Sequence, residues 1–131
     1  MCHGMEFRSV IIAGSHFANS ERAGRLIEQA IGTLGVDRSL VRVISGGARC
    51  VDEAAANWAH NNGVKFTAVL PDWKKHGRRA GLMRNRTMAE MAVRSGHPVL
   101  IALWNGRSRG TGSMIEVAAQ FRIPSFVIPI R

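Results

Sequence analysis

The sequence is short of cysteine, of acid and of long apolar runs. Its two cysteines, Cys2 and Cys50, fall in no paired motif. That excludes a disulfide scaffold and a structural zinc site. Cys2 and His3 stand side by side, but two ligands at a chain end make a poor metal site. Asp and Glu number nine and are spread widely. A carboxylate cluster for Mg²⁺ is therefore missing. No metal motif is present, and no cofactor is expected beyond a bound nucleotide. No apolar run reaches the roughly 18 residues that a membrane span needs. The start, MCHGMEFRSVIIAG, lacks a basic stretch followed by a long apolar one. No signal peptide is expected, and the cytoplasm is the default location. GxGxxG and GK[ST] are absent, so neither a dinucleotide fingerprint nor a Walker A loop is supported.

What is present reads as one globular domain. The 131 residues are 46% apolar and 21% charged, which is ordinary globular usage. Lys and Arg number 18, giving a net charge of +9. The expected partner is anionic: a nucleotide, a phosphate or a nucleic acid. The same excess also serves solubility. Arginine dominates, and it suits bidentate contacts to phosphate.

Apolar runs and helical periods alternate along the chain. Arg8 to Gly14 reads as a buried strand. Asn19 or Ser20 caps a helix with Glu21 in its first turn and Leu26, Ile27, Ala30, Ile31 and Leu34 on one face; Gly35 stops it. Val41 to Ser45 is a second strand, and a helix follows over about Val51 to Asn62, stopped by Gly63. Lys65 to Leu70 is a third strand closed by Pro71. Asp72 to Gly81 reads as a polar, basic loop, and Leu82 to Arg94 as a helix. Pro98 to Trp104 is a fourth strand, Gly106 to Gly112 a glycine-rich loop, and a helix runs on to Phe121. Ser125 to Ile130 closes the chain, with Pro129 suited to an edge or a strand end. Strict alternation with short loops predicts an α/β fold, a single doubly wound parallel sheet of about five strands with helices on both faces. Residues 1–7 are expected to be disordered and residues 8–131 to form the domain. Ligands of such sheets sit at the carboxyl ends of the strands.

Four loops after strands are distinctive. Gly14-Ser15-His16 combines a sharp turn, a hydroxyl and a titratable group; a plain strand-to-helix turn is the other reading. Gly46-Gly47-Ala48-Arg49 offers free backbone N–H groups at a helix start, where anions bind. Asp52 either serves the first helical turn or takes a ribose hydroxyl, and Arg49 is placed to reach a phosphate. In the third loop, six cations and no acid lie between Lys74 and Arg86, beside Trp73. A basic run next to an aromatic suits a nucleotide or a single strand, though a charge run is also an ordinary solvated face. Arg84 and Asn85 open a helix there and are placed to point into the site. The fourth loop, Gly106-Arg107-Ser108-Arg109-Gly110-Thr111, has the composition of a phosphate cradle. Glu116, one turn into the next helix, is a candidate acid or base, or a plain surface residue.

These four loops, taken in order, resemble the small YspA-like proteins of the SLOG superfamily, also described as a domain of unknown function (DUF2493). The specific parts are Gly46-Gly47-Ala48-Arg49 with Asp52, and Ala80-Gly81 with Arg84-Asn85 and Met88. The resemblance covers about residues 8–130. It implies a Rossmann-like sheet that binds a nucleotide or nucleotide derivative, with Gly106, Ser108, Gly110 and Thr111 matching the phosphate loop. The superfamily takes in the Lonely Guy phosphoribohydrolases and the DprA/Smf fold. Arg84 and Glu116 fall where Lonely Guy enzymes have a catalytic Arg and Glu. Glu116, however, stands five positions past Thr111, where the Lonely Guy pattern GTxxE has three. The resemblance also implies a homo-oligomer, a dimer or higher.

Three functions follow. The first is binding of a nucleotide-derived molecule, to sense, carry or sequester it. The second is cleavage of an N-glycosidic bond in a nucleoside monophosphate or NAD-like compound, with Arg84 and Glu116 as catalytic residues. The third is binding of single-stranded nucleic acid.

Overall fold

The computed structural model describes residues 7–15, 19–46 and 49–130, with side chains omitted at Arg49 and Cys50. The expected disorder of the first residues lies outside this range up to Glu6. Phe7 is described, and the Arg42 guanidinium stacks 4.0 Å from its ring centre.

Five strands form one parallel sheet: β1 (Arg8–Gly14), β2 (Val41–Ser45), β3 (Phe66–Ala68), β4 (Pro98–Trp104) and β5 (Ser125–Pro129). Their spatial order is β3-β2-β1-β4-β5. The helices are α1 (Ser20–Thr33), α2 (Arg49–Asn61), α3 (Trp73–His76), α4 (Ala80–Ser95) and α5 (Arg109–Gln120). The doubly wound α/β sheet expected from the sequence is the fold found. Alternation along β1 explains the two layers. Val10 and Ile12 join the core beneath α1 and α2, while Ile11 joins the core beneath α4 and α5. Both faces of the central strands are covered, so they read as unbroken apolar runs.

The order reverses between β1 and β4. The chain winds outward from β1 to β3, then returns across β1 to lay down β4 and β5. A crevice opens at the carboxyl ends of the strands at such a reversal.

Local boundaries follow local chemistry. Asn19, not Ser20, caps α1, its Oδ1 accepting from Arg22 N at 2.9 Å. The segment expected as a loop over 72–81 is instead α3 followed by a 3-10 turn (Gly77–Arg79) and the start of α4. Asp72 makes the difference, because its side chain accepts from Lys75 N at 3.1 Å and caps α3. The last helix begins at Arg109, not after Gly112, because Ser108 caps it. β3 is shorter than Lys65–Leu70. Its partner β2 ends at Ser45, opposite Ala68, and Leu70 is 69% exposed. Pro129 ends β5, an edge strand, as expected.

On the α1/α2 side, Trp58 Nε1 donates to Glu28 Oε1 at 3.3 Å. Arg38 Nε donates to the other oxygen of that carboxylate at 2.9 Å. The Arg38 hydrogen bond holds Glu28 below the usual carboxylate range; burial opposes this, and Trp58 adds to the lowering. No helix among the described residues is long and apolar enough to cross a membrane.

Candidate functional site

A cavity of about 360 Å³ lies at the strand reversal. Ile12, Ala13 and Gly14 of β1 line it, with Ser45 and Gly46 at the end of β2. Pro71 and Trp73 stand on one side, and Arg84, Asn85 and Met88 of α4 on another. Ser108, Gly110, Thr111 and Met114 bring in the start of α5. A wider hollow of about 730 Å³ lies between α1 and α2 around Trp58 and shares no lining residue with the first.

Arg84 is the cation of the cavity. Its Nη1 donates to the carbonyl of Gly46, and its Nε donates to Asn85 Oδ1 at 2.9 Å. Burial draws the guanidinium below the usual arginine range, while the charge of Asp52 opposes that drift. A guanidinium stripped of water in this way gains by meeting an anion. Gly46 leaves it room: a Cβ there would fall 2.7 Å from Arg84 Nη1 and 3.0 Å from Cζ.

Asn85 is buried and joins two helices. While Oδ1 accepts from Arg84, Nδ2 donates to Gly110 O and Ser113 Oγ, each at 3.3 Å. The amide therefore fixes the guanidinium relative to the first turn of α5. That turn carries the positive dipole end of a twelve-residue helix, with Thr111 N donating to the Ser108 hydroxyl and Gly112 N to Ser108 O. Ser108 shares its hydroxyl between the cap and Thr111 Oγ1, at 3.5 Å.

Several sequence candidates support the cavity from outside its lining. Ser15 is buried; its Oγ accepts from Asn105 N at 3.2 Å and its N–H donates to Leu103 O at 2.8 Å. It splices the ends of β1 and β4. Gly106 takes φ +81 in the turn after β4 and is not among the lining residues. Asn105 Oδ1 holds that turn by accepting from Arg107 N and Ser108 N, both at 2.8 Å. Asp52 does not face the cavity directly. Its Oδ1 accepts from Ser45 Oγ at 2.6 Å, and Ser45 lines the cavity. Gly14 lines it too, but its lack of a side chain answers to α2. A Cβ there would fall 2.8 Å from Val51 Cγ1 and 2.9 Å from Val51 Cβ.

Of the two readings of Glu116, the structure places it as a surface residue of α5. It is exposed and outside the lining. Met114, Val117 and Ala118 carry the buried face of α5. At about 100° per residue, Glu116 sits roughly 200° round the helix from Met114. His16, Gly47 and Ala48 lie outside the described residues, as does the side chain of Arg49.

Sequence reasoning missed Ser45, Pro71 and Met114, and singled out Met88 only as part of the family resemblance. Ser45 carried a signal, being a polar residue closing an apolar strand just before two glycines. Met88 and Met114 carried none, since they are fully buried like the core around them.

Fold and cavity together define a Rossmann-like α/β domain with a cleft at its strand reversal, lined by Arg84 and the start of α5. The chain belongs to the YAcAr family, described as the YspA, cpYpsA-related SLOG family, whose model matches residues 8–76. The resemblance drawn from the four loops is thereby met. Gene 61 protein of Mycobacterium phage D29 is 39% identical over 87 residues, covering 63% of this chain and 66% of that protein. The fold is similar to DNA processing protein A (DprA) from Streptococcus pneumoniae, with a TM-score of 0.70 and 22% identity over 95% of this chain. The chain spans about half of that protein, 51% of its length.

Proposed function

We propose that the cavity binds a nucleotide or nucleotide-derived molecule. The phosphate lies between Arg84 and the first turn of α5, and the base lies against Trp73. The carrying observation is that a partly desolvated guanidinium and a helix N-terminus line one cavity. Each attracts an anion, and Asn85 holds the two together. A volume of about 360 Å³ suits a small ligand. Met88 and Met114 close the cavity from below, and the exposed ring of Trp73 is the face offered to a flat aromatic base.

Binding is favoured over hydrolysis. N-glycosidic cleavage calls for a carboxylate near the sugar, and Glu116 faces outward on α5. Asp52 is engaged by Ser45.

Calorimetry with nucleoside 5′-monophosphates and with inorganic phosphate tests the reading. Saturable binding is expected, and Arg84→Met weakens it at least about tenfold, the worth of one charged contact. Equal affinity in wild type and Arg84→Met, or no binding across the panel, sinks it.

A further inference from the structure

Six of the 18 Lys and Arg residues fall between Lys74 and Arg86, the segment that follows the cavity-lining Trp73. Lys74, Lys75, Arg78 and Arg79 follow Trp73 along α3 and the 3-10 turn, and Arg86 stands on α4. All five are exposed, and among the described residues none pairs with a carboxylate. Asp72 is the sole acid between Glu53 and Glu90. It is occupied in capping α3. Trp73 lines the cavity yet is 61% exposed, an unusual amount of bare aromatic surface.

A mononucleotide does not answer this arrangement. Its phosphate is satisfied by Arg84 and α5, which leaves the ridge of like charges unneutralised. A ligand with repeating phosphates answers both. A duplex is unsuited, because a base inside a stack cannot enter a cavity without being extruded. An exposed aromatic followed by a row of cations is how proteins hold unpaired strands.

We propose that the cavity takes one nucleotide unit of a single-stranded nucleic acid, and that phosphates of neighbouring units lie along Lys74, Lys75, Arg78 and Arg79. The inference rests on the nucleotide reading of the cavity. It adds the partner, a strand, and the surface that receives it.

Fluorescence anisotropy with a twelve-nucleotide oligothymidylate, set against calorimetry with thymidine 5′-monophosphate, tests it. The oligonucleotide should bind at least about tenfold tighter at low salt, and its log affinity should fall against log salt with a slope near −3, from about 0.7 per phosphate contact. Reversing all four cations (K74E, K75E, R78E, R79E) should cost the oligonucleotide at least about tenfold and flatten that slope. Measured at about 0.15 M salt, where screening acts over about 8 Å, monophosphate affinity should fall several-fold less than that of the strand. Should that variant fail to fold, the pairs K74Q/K75Q and R78Q/R79Q should each show part of the loss. Arg84→Met should weaken both ligands.

Equal affinities for oligonucleotide and monophosphate overturn the proposal and leave the cavity reading standing. So does a ridge variant that binds the strand unchanged. Strand binding untouched by Arg84→Met means the strand bypasses the cavity, and also overturns it. Polyglutamate binding as tightly as the strand reduces the ridge to a general anion surface and overturns it too. Binding of neither nucleotide ligand removes both readings.

Discussion

The side-chain amide of Asn85 donates to the carbonyl of Gly110 at 3.3 Å and ties α4 to the opening turn of α5. The same amide accepts from Arg84 Nε at 2.9 Å, so one buried side chain fixes both halves of the anion seat. Asn85→Leu keeps similar bulk and deletes all three bonds. Unfolding free energy should drop by about 1–3 kcal/mol, since buried partners are left unsatisfied. Asn85→Asp keeps an acceptor for Arg84 but gives up the donor to Gly110, and should fall between. Urea denaturation checks this; unchanged stability in Asn85→Leu contradicts the tie.

Gly46 leaves room for the Arg84 guanidinium. In Gly46→Ala the Cβ would stand 2.7 Å from Nη1, so the flexible end of Arg84 moves away. Folding should change little, because a side-chain tip gives way easily. Affinity for a nucleoside monophosphate should fall about tenfold, near 1.4 kcal/mol. Calorimetry on the alanine variant reads this directly, and wild-type affinity argues against it.

Gly14 makes the opposite case. Its missing side chain accommodates Val51, whose branch point on α2 leaves no tip to swing aside. Gly14→Ala should cost about 1–3 kcal/mol through overpacking. Val51→Ala in the same chain should recover part of that cost. A double-mutant cycle measures the coupling, and additive effects would contradict the contact.

Glu28 provides a pH dependence. Its carboxyl is held low by Arg38. A lowered folded-state value stabilises above the unfolded value, near pH 4, and the gain is lost as pH falls through the folded one. Glu28→Gln should therefore melt a few degrees below wild type at pH 7. The effect stays modest because the pair is exposed to solvent. The gap between the two melting curves should start to narrow near pH 4 and close only below the lowered folded-state value. A gap that does not narrow as pH falls below about 4 would mean packing, not charge, is at work.

Glu116→Gln should leave ligand affinity within about twofold of wild type, since the side chain is exposed on α5 and outside the cavity lining. Incubation with a nucleotide panel and chromatography of released bases completes the test. Base release by wild type that Glu116→Gln abolishes would restore the hydrolytic reading.

The sequence alone determined the layering and most of the stops. Continuous apolar runs at β1 and β4 demand a sheet covered on both faces. Gly35 and Gly63, at φ +68 and +63, end helices where their backbone freedom predicts. These features depend on neighbours a few residues away, which is the range over which hydrophobic period and capping act. Arg84, Asn85, Ser108 and Thr111 were placed at the site because strand ends converge in this topology.

Tertiary structure decided which side chains meet. Arg84 reaches Gly46 across 38 residues, and Asn85 reaches Gly110 across 25. No local rule encodes such pairs. Ser108 caps α5 so that it starts at Arg109, four residues before the expected start, and Glu116 is exposed on it. A rotation of about 100° per residue makes direction sensitive to packing phase. Gly14 and Gly46 look alike in the sequence, each a glycine closing a strand. Only the packed helices separate them, one accommodating a rigid valine branch and the other a mobile arginine tip.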